Sequence, residues 1–174
     1  MEFKKTLAFR QSVRKFTDQQ ITEEQLHTLI QAANAAPTCM GNYDRVHLTV
    51  VQNPEILKQI NEAFQKAVGD PSVQVTYGAP TVIYVSANVE DEEIIKGCNA
   101  GVIMENMLLA AADMGLGAVY LFGVSQVLFA DDKISALLQL PEGFRTVSAI
   151  AVGSAADPVA ERTLGSDKIS AAYL

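Results

Sequence analysis

Arg10, Ser12 and Arg14 stand at every second position of "FRQSVRKF", and Lys15 follows directly. Two guanidiniums with a hydroxyl between them are donors suited to an oxyanion. Arg offers planar, permanently charged N–H pairs, and a phosphate accepts them as short charge-assisted hydrogen bonds. If the stretch is helical, Arg10 and Arg14 lie one turn apart on one face. There they repel by about 0.2–0.5 kcal/mol, a cost that a bound phosphate would turn into a gain. Taken alone, a short basic cluster is more often a solvated face than a site.

A second candidate is "APTCMGNYD", residues 36–44. Pro37, Thr38, Gly41 and Asn42 make a loop whose backbone can approach a ligand closely, and Asn42 brings two donors and an acceptor. Ordinary turn chemistry explains the same residues. A third is "GLGAVYLFG", residues 115–123. A dinucleotide-binding turn needs its glycines after a strand and before a helix. Here they follow a helix and precede a strand, so the Rossmann reading is poor. They end the helix and start a strand running close beside something flat. His27 and His47 have no Asp, Cys or Ser placed to form a triad, and no hydrolase, zinc-protease or phosphate-loop motif occurs. Cys39 and Cys98 lack metal-site or redox spacing and read as small apolar residues in a reducing compartment. The expected location is cytoplasmic, with no membrane span.

The elements that must carry these residues follow from periodicity. Residues 2–12 read as a first helix. Thr22 and Gln25 match a capping box that opens a second helix, and Asn34 and Pro37 close it. Strands are expected at 46–51, 80–87, 117–123 and 146–153, and further helices at 54–68, 92–114 and 131–139. Residues 154–174 form a tail with little periodicity. Four strands with helices between and around them imply one α+β sandwich domain over 1–174. The chain has 174 residues, 49% of them hydrophobic, and a mean hydropathy of +0.15. That is apolar for a small domain and points to a large buried interface between subunits. The 92–114 helix, apolar on most faces, must be central or pressed against another subunit. The net charge of −7 disfavours nucleic-acid binding, yet residues 1–15 hold five basic residues against Glu2 alone. A local anion fits that asymmetry better than a polyanion does.

In order along the chain come R-x-S-x-R, "AANAAPT…N", "VHLTVV", "YGAPTVIYV", "NAGVIMENMLLAAADMGLGAVYLFG" and "LPEGFRTVSAIAVG". This succession resembles the FMN-dependent nitroreductase family nearly from end to end. The resemblance implies an intertwined α+β homodimer. Its central sheet would be mostly antiparallel with four to five strands, flanked by helices, with FMN held at the subunit interface. It implies that Arg10, Ser12 and Arg14 hold the flavin phosphate and ribityl oxygens, with Gln11 touching the flavin. Pro37, Thr38 and Asn42 would come from the partner subunit. Tyr120, Leu121, Phe122 and Gly123 would pass the ring near its N5. Lys168, with Arg162 as a weaker candidate, would reach the phosphate. No catalytic side chain and no metal are expected, because FMN carries the chemistry. NAD(P)H would be the electron donor, and an electron-poor acceptor such as a nitroaromatic or quinone would leave reduced. A flavin-binding sensor or store with little turnover is the alternative. The family loop often reads P-S-x-x-N-x-Q-P-W. Here Asn42 falls one residue late and the Gln-Pro-Trp is absent, so the resemblance does not carry over the pocket wall at 39–43.

Overall fold

The computed structural model describes residues 2–123 and 132–174. Its four described strands form one sheet in the order β1-β2-β4-β3, with β1 Val46–Val51, β2 Thr81–Asn88, β3 Gly117–Leu121 and β4 Phe144–Gly153. Every pairing is antiparallel. The helices are α1 Phe3–Phe9, α2 Glu23–Asn34, α3 Pro54–Val68, α4 Glu93–Asp113 and α5 Asp132–Leu137. The expected α+β architecture is therefore present with four described strands.

Alternation along β2 explains the layers. Ile83 and Val85 point to one side and join Leu29 and Ala33 of α2 with Ile103, Met104, Met107 and Ala111 of α4. Val82 and Tyr84 point to the other side and join Ile60 and Phe64 of α3 and Ile134 of α5. A strand buried on both faces has a continuous apolar run, which "TVIYVSA" is. The capping box on α2 forms as expected, with Gln25 N–H donating to Thr22 Oγ1 at 3.1 Å and Thr22 N–H to Gln25 Oε1 at 2.9 Å. Asn53 caps α3, whose Pro54 needs no N–H in the first turn. α4 stops where Gly115 takes φ 75, a conformation nearly free of cost only for glycine.

Most boundaries shift by one or two residues from the sequence expectation, β2 to 81–88, α4 to 93–113 and the end of α5 to 137 among them. β3 ends at Leu121, not at 123, and β4 begins at Phe144, not at 146. The larger correction concerns α1, which ends at Phe9 and not at 12. Arg10 turns extended at φ −61, ψ 109, and the chain runs onto the free edge of β3. Val13 N–H donates to Ala118 C=O at 3.0 Å, and Ser12 bridges Ala118. A helical pattern of apolar spacing lost here to an unpaired sheet edge, whose carbonyls need donors. The expected start of α5 at 131 lies outside the described residues.

Candidate anion and cofactor site

With α1 ended, the one-turn spacing of Arg10 and Arg14 no longer applies. An extended chain places alternate residues on one side, so Arg10, Ser12 and Arg14 share a side while Val13 faces away, with Arg10 and Arg14 roughly 13 Å apart along the segment. Val13 packs where a Cβ on Gly117 would stand 2.8 Å from its Cγ1. Gly117 thus lets the basic segment lie flat against β3. That contact joins two of the sequence candidates, because β3 leads directly to Tyr120, Leu121, Phe122 and Gly123. Leu121 is buried in the core, while Tyr120 and Phe122 are 39% and 59% exposed.

The cations differ in what they already hold. Arg10 lies 3.9 Å from Glu105 of α4, and Lys15 pairs with Asp157 at 3.5 Å on the open surface. Arg14 has no carboxylate partner among the described residues. Its guanidinium stands 6.0 Å from the centre of the Tyr77 ring. Ser12 is exposed. Gln11 spends its amide N–H on Ala160 C=O at 2.6 Å. Arg162 is not aimed outward. Its guanidinium donates to the carbonyls of Leu7 at 3.1 Å, Ala8 at 3.3 Å and Arg10, and so caps the last turn of α1. Lys168 lies exposed in the C-terminal segment, and no hydrogen bond or ion pair brings it to Arg10, Ser12 or Arg14.

The 36–45 loop is fixed elsewhere. Cys39 N–H donates to the buried Oδ1 of Asn99 on α4 at 2.8 Å, and Tyr43 closes the loop with its hydroxyl on Ala36 C=O at 3.1 Å. Met40 takes φ 56 and stands 88% exposed. Pro37 and Asn42 are exposed. Thr38 is buried, and its Oγ1 has no hydrogen-bond partner among the described residues. Among the described residues, no hydrogen bond or ion pair joins this loop to Arg10–Arg14 or to Tyr120–Gly123. One chain therefore brings together two of the three candidate stretches.

Sequence reasoning missed Asn99, inside the apolar 92–114 helix, and Tyr77, just ahead of the strand expected at 80–87. A buried Asn in an otherwise apolar helix was the available signal for the first, since such a side chain needs a partner. Nothing in "YGAP" announces the contact with Arg14.

A sequence profile of the Nitroreductase family matches residues 7–154. An Archaeoglobus fulgidus protein provisionally assigned as an NADH dehydrogenase/NAD(P)H nitroreductase is 31% identical over 154 residues, covering 86% of this chain and 83% of its own. An NADPH-flavin oxidoreductase of Vibrio harveyi is 30% identical over 155 residues, covering 85% of this chain and 63% of its own. In structure, the chain is similar to a Bacteroides fragilis nitroreductase crystallised with bound FMN. The TM-score is 0.85 at 25% identity, over 99% of this chain and 100% of that one.

Proposed function

This chain belongs to the nitroreductase family, and we propose that it works as an FMN-dependent NAD(P)H oxidoreductase in an intertwined homodimer. The observation that carries the reading is the unneutralised Arg14, aligned with Ser12 and Arg10 along the edge of the strand that leads to Tyr120–Gly123. These residues fit FMN. Its phosphate carries about −2 at neutral pH and needs Arg and hydroxyl donors. Its ring needs an apolar edge, which the exposed Tyr120 and Phe122 provide. The buried, unpartnered Thr38 hydroxyl is a donor still to be used.

When bound, FMN supplies hydride transfer at its N5, so the protein needs no nucleophile or base of its own. The chain's residues bind and orient. Arg10, Ser12 and Arg14 hold the phosphate end, with Gln11 beside them, and Lys168 reaches the same end from the C-terminal segment. The backbone at Leu121–Gly123 faces the ring. Pro37, Thr38 and Asn42 belong to the site of the second subunit. That assignment is supported by the absence of any bond between this loop and the other two stretches within one chain. It is supported further by an uncovered stripe on α4, where Ile94, Cys98 and Val102 recur at helical spacing, with Ile94 69% exposed. The C-terminal segment likewise leaves Leu164, Ile169 and Tyr173 exposed. A second copy covering both surfaces answers the apolar excess of the composition.

The reading is a ping-pong reductase in which NAD(P)H leaves oxidised before an electron-poor acceptor, a nitroaromatic or a quinone, enters. Steady-state oxidation of NADH and NADPH with menadione or a nitroaromatic tests it. Turnover that depends on added FMN is the expected result. Tight FMN binding with no turnover would replace the reductase by a flavin sensor or store.

A further inference from the structure

Asn99 lies within α4, next to the buried Ala100 and one turn from the buried Ile103, and is itself 5% exposed. Its Oδ1 accepts the Cys39 N–H at 2.8 Å. The loop it meets has a shape of its own. Met40 and Gly41 follow each other at φ 56 and φ 71, and a methionine keeps that left-handed geometry only where its surroundings hold it. Gly41 N–H donates to Thr38 C=O at 3.0 Å and Asn42 N–H to Cys39 C=O at 3.2 Å, which closes the turn upon itself. Those bonds fix the shape of the loop but not its place on the molecule. The Asn99 bond fixes its place at the first residue of the turn. Arg45 does so at the far end, 2.7 Å from Asp91 just ahead of α4.

A buried asparagine in an apolar helix destabilises the fold unless its amide finds a partner. Here the amide oxygen serves a backbone N–H of a surface loop and not a group of the core. Ile94, Cys98 and Val102 line the uncovered face of α4, and Asn99 is the next residue round the helix from Cys98. One helix thus presents the face that would meet a second copy and, a residue away, holds the loop that would enter that copy's site. We propose that Asn99 is a positioning residue for the cofactor site of the second subunit. Its amide oxygen sets the loop on α4, so that docking of α4 against a second copy also seats Pro37, Thr38 and Asn42 there. The inference rests on the reading that this loop serves the second subunit.

The test uses the full chain freed of flavin and titrated with FMN. Asn99→Ala removes the acceptor from the core side. Cys39→Pro removes the donor from the exposed side, at the first position of a helical turn, where proline is tolerated. It carries the test alone if the core substitution does not fold. Each should weaken FMN about fivefold or more while the dimer mass stays that of the parent. Each is then combined in one heterodimer, isolated by two different tags, with a subunit bearing Ser12→Glu, which sets a carboxylate in the basic segment. One site of that dimer keeps an intact segment and receives an intact loop, while both changes fall in the other. It should bind one FMN with the parent's affinity. Parent affinity for FMN in either folded single variant overturns the proposal. So does a heterodimer with no site of parent affinity, because the loop then acts within its own chain. If the Ser12→Glu homodimer binds FMN as the parent does, or the FMN-loaded chain is a monomer, the reading of the site falls first and takes the inference with it.

Discussion

Two groups of cations in this chain are built for opposite ends. Arg45, Lys96 and Arg145 sit where α4 begins and where β1 and β4 enter the sheet, and all three are committed. Arg45 meets Asp91 at 2.7 Å and Glu90 at 3.4 Å. Lys96, only 3% exposed, donates to Val89 C=O at 2.9 Å and to Glu93 at 3.1 Å. Arg145 also pairs with Glu93. The Lys96 hydrogen bond, ahead of the charge of Arg145, holds the Glu93 carboxyl below its usual value, and Asp91 holds the Arg45 guanidinium above its own. Arg10, Ser12 and Arg14 are the opposite case. Glu105 reaches Arg10 only at 3.9 Å, and Arg14 meets an aromatic ring. Paired charge locks an element in place, whereas Arg14 keeps its charge with no carboxylate partner among the described residues.

Arg14→Ala should break the contrast most. Loss of the proposed charge-assisted hydrogen bond to a phosphate or ribityl oxygen costs about 1.5–3 kcal/mol, which is roughly ten- to a hundredfold in FMN affinity by equilibrium titration. The melting temperature should stay near that of the parent. Lys96→Met should do the reverse. It leaves Val89 C=O and Glu93 without their buried donor, at about 1–3 kcal/mol of stability by denaturant unfolding, and FMN affinity should be unchanged. Equal effects of the two substitutions on FMN would erase the distinction.

Gly117→Ala couples the two readouts. The added methyl meets Val13, so the basic segment must lift from β3. Overpacking of this kind costs about 1–3 kcal/mol. Thermal melts and FMN titration should both report a loss, and a loss of stability alone would separate the segment's packing from the site.

Glu93→Gln acts through pH. A carboxyl held below its usual 4.5 favours the folded state when ionised. Its contribution is present above that value and is lost as pH falls through the lowered one. The variant should be less stable at neutral pH and should lose less on acidification than the parent, as read by melts on either side of 4.5. Identical acid limbs would contradict the pairing. Lys15→Ala should change stability and FMN affinity least, within about 0.5 kcal/mol, because its partner Asp157 is equally exposed.

The layers of the fold were legible because burial writes itself into periodicity. "TVIYVSA" can only be a strand covered on both faces, and Thr22 with Gln25 announces the start of α2. The end of α1 was not legible. Phe3, Leu7 and Arg10 continue a helical pattern, and nothing local says that the edge of β3, more than a hundred positions later in the sequence, competes for the same backbone. The site was legible as residue types and not as geometry. Arg10, Ser12 and Arg14 lie on an extended segment and not on a helical turn. Arg162 looked like a phosphate ligand because its charge is visible in sequence, while the carbonyls it caps at Leu7, Ala8 and Arg10 are not.

The most direct test of the account is a parallel titration of the flavin-free protein with FMN and riboflavin. The proposed phosphate contacts at the N-terminal basic segment predict FMN bound at least about tenfold more tightly. Equal affinities for the two flavins would contradict it.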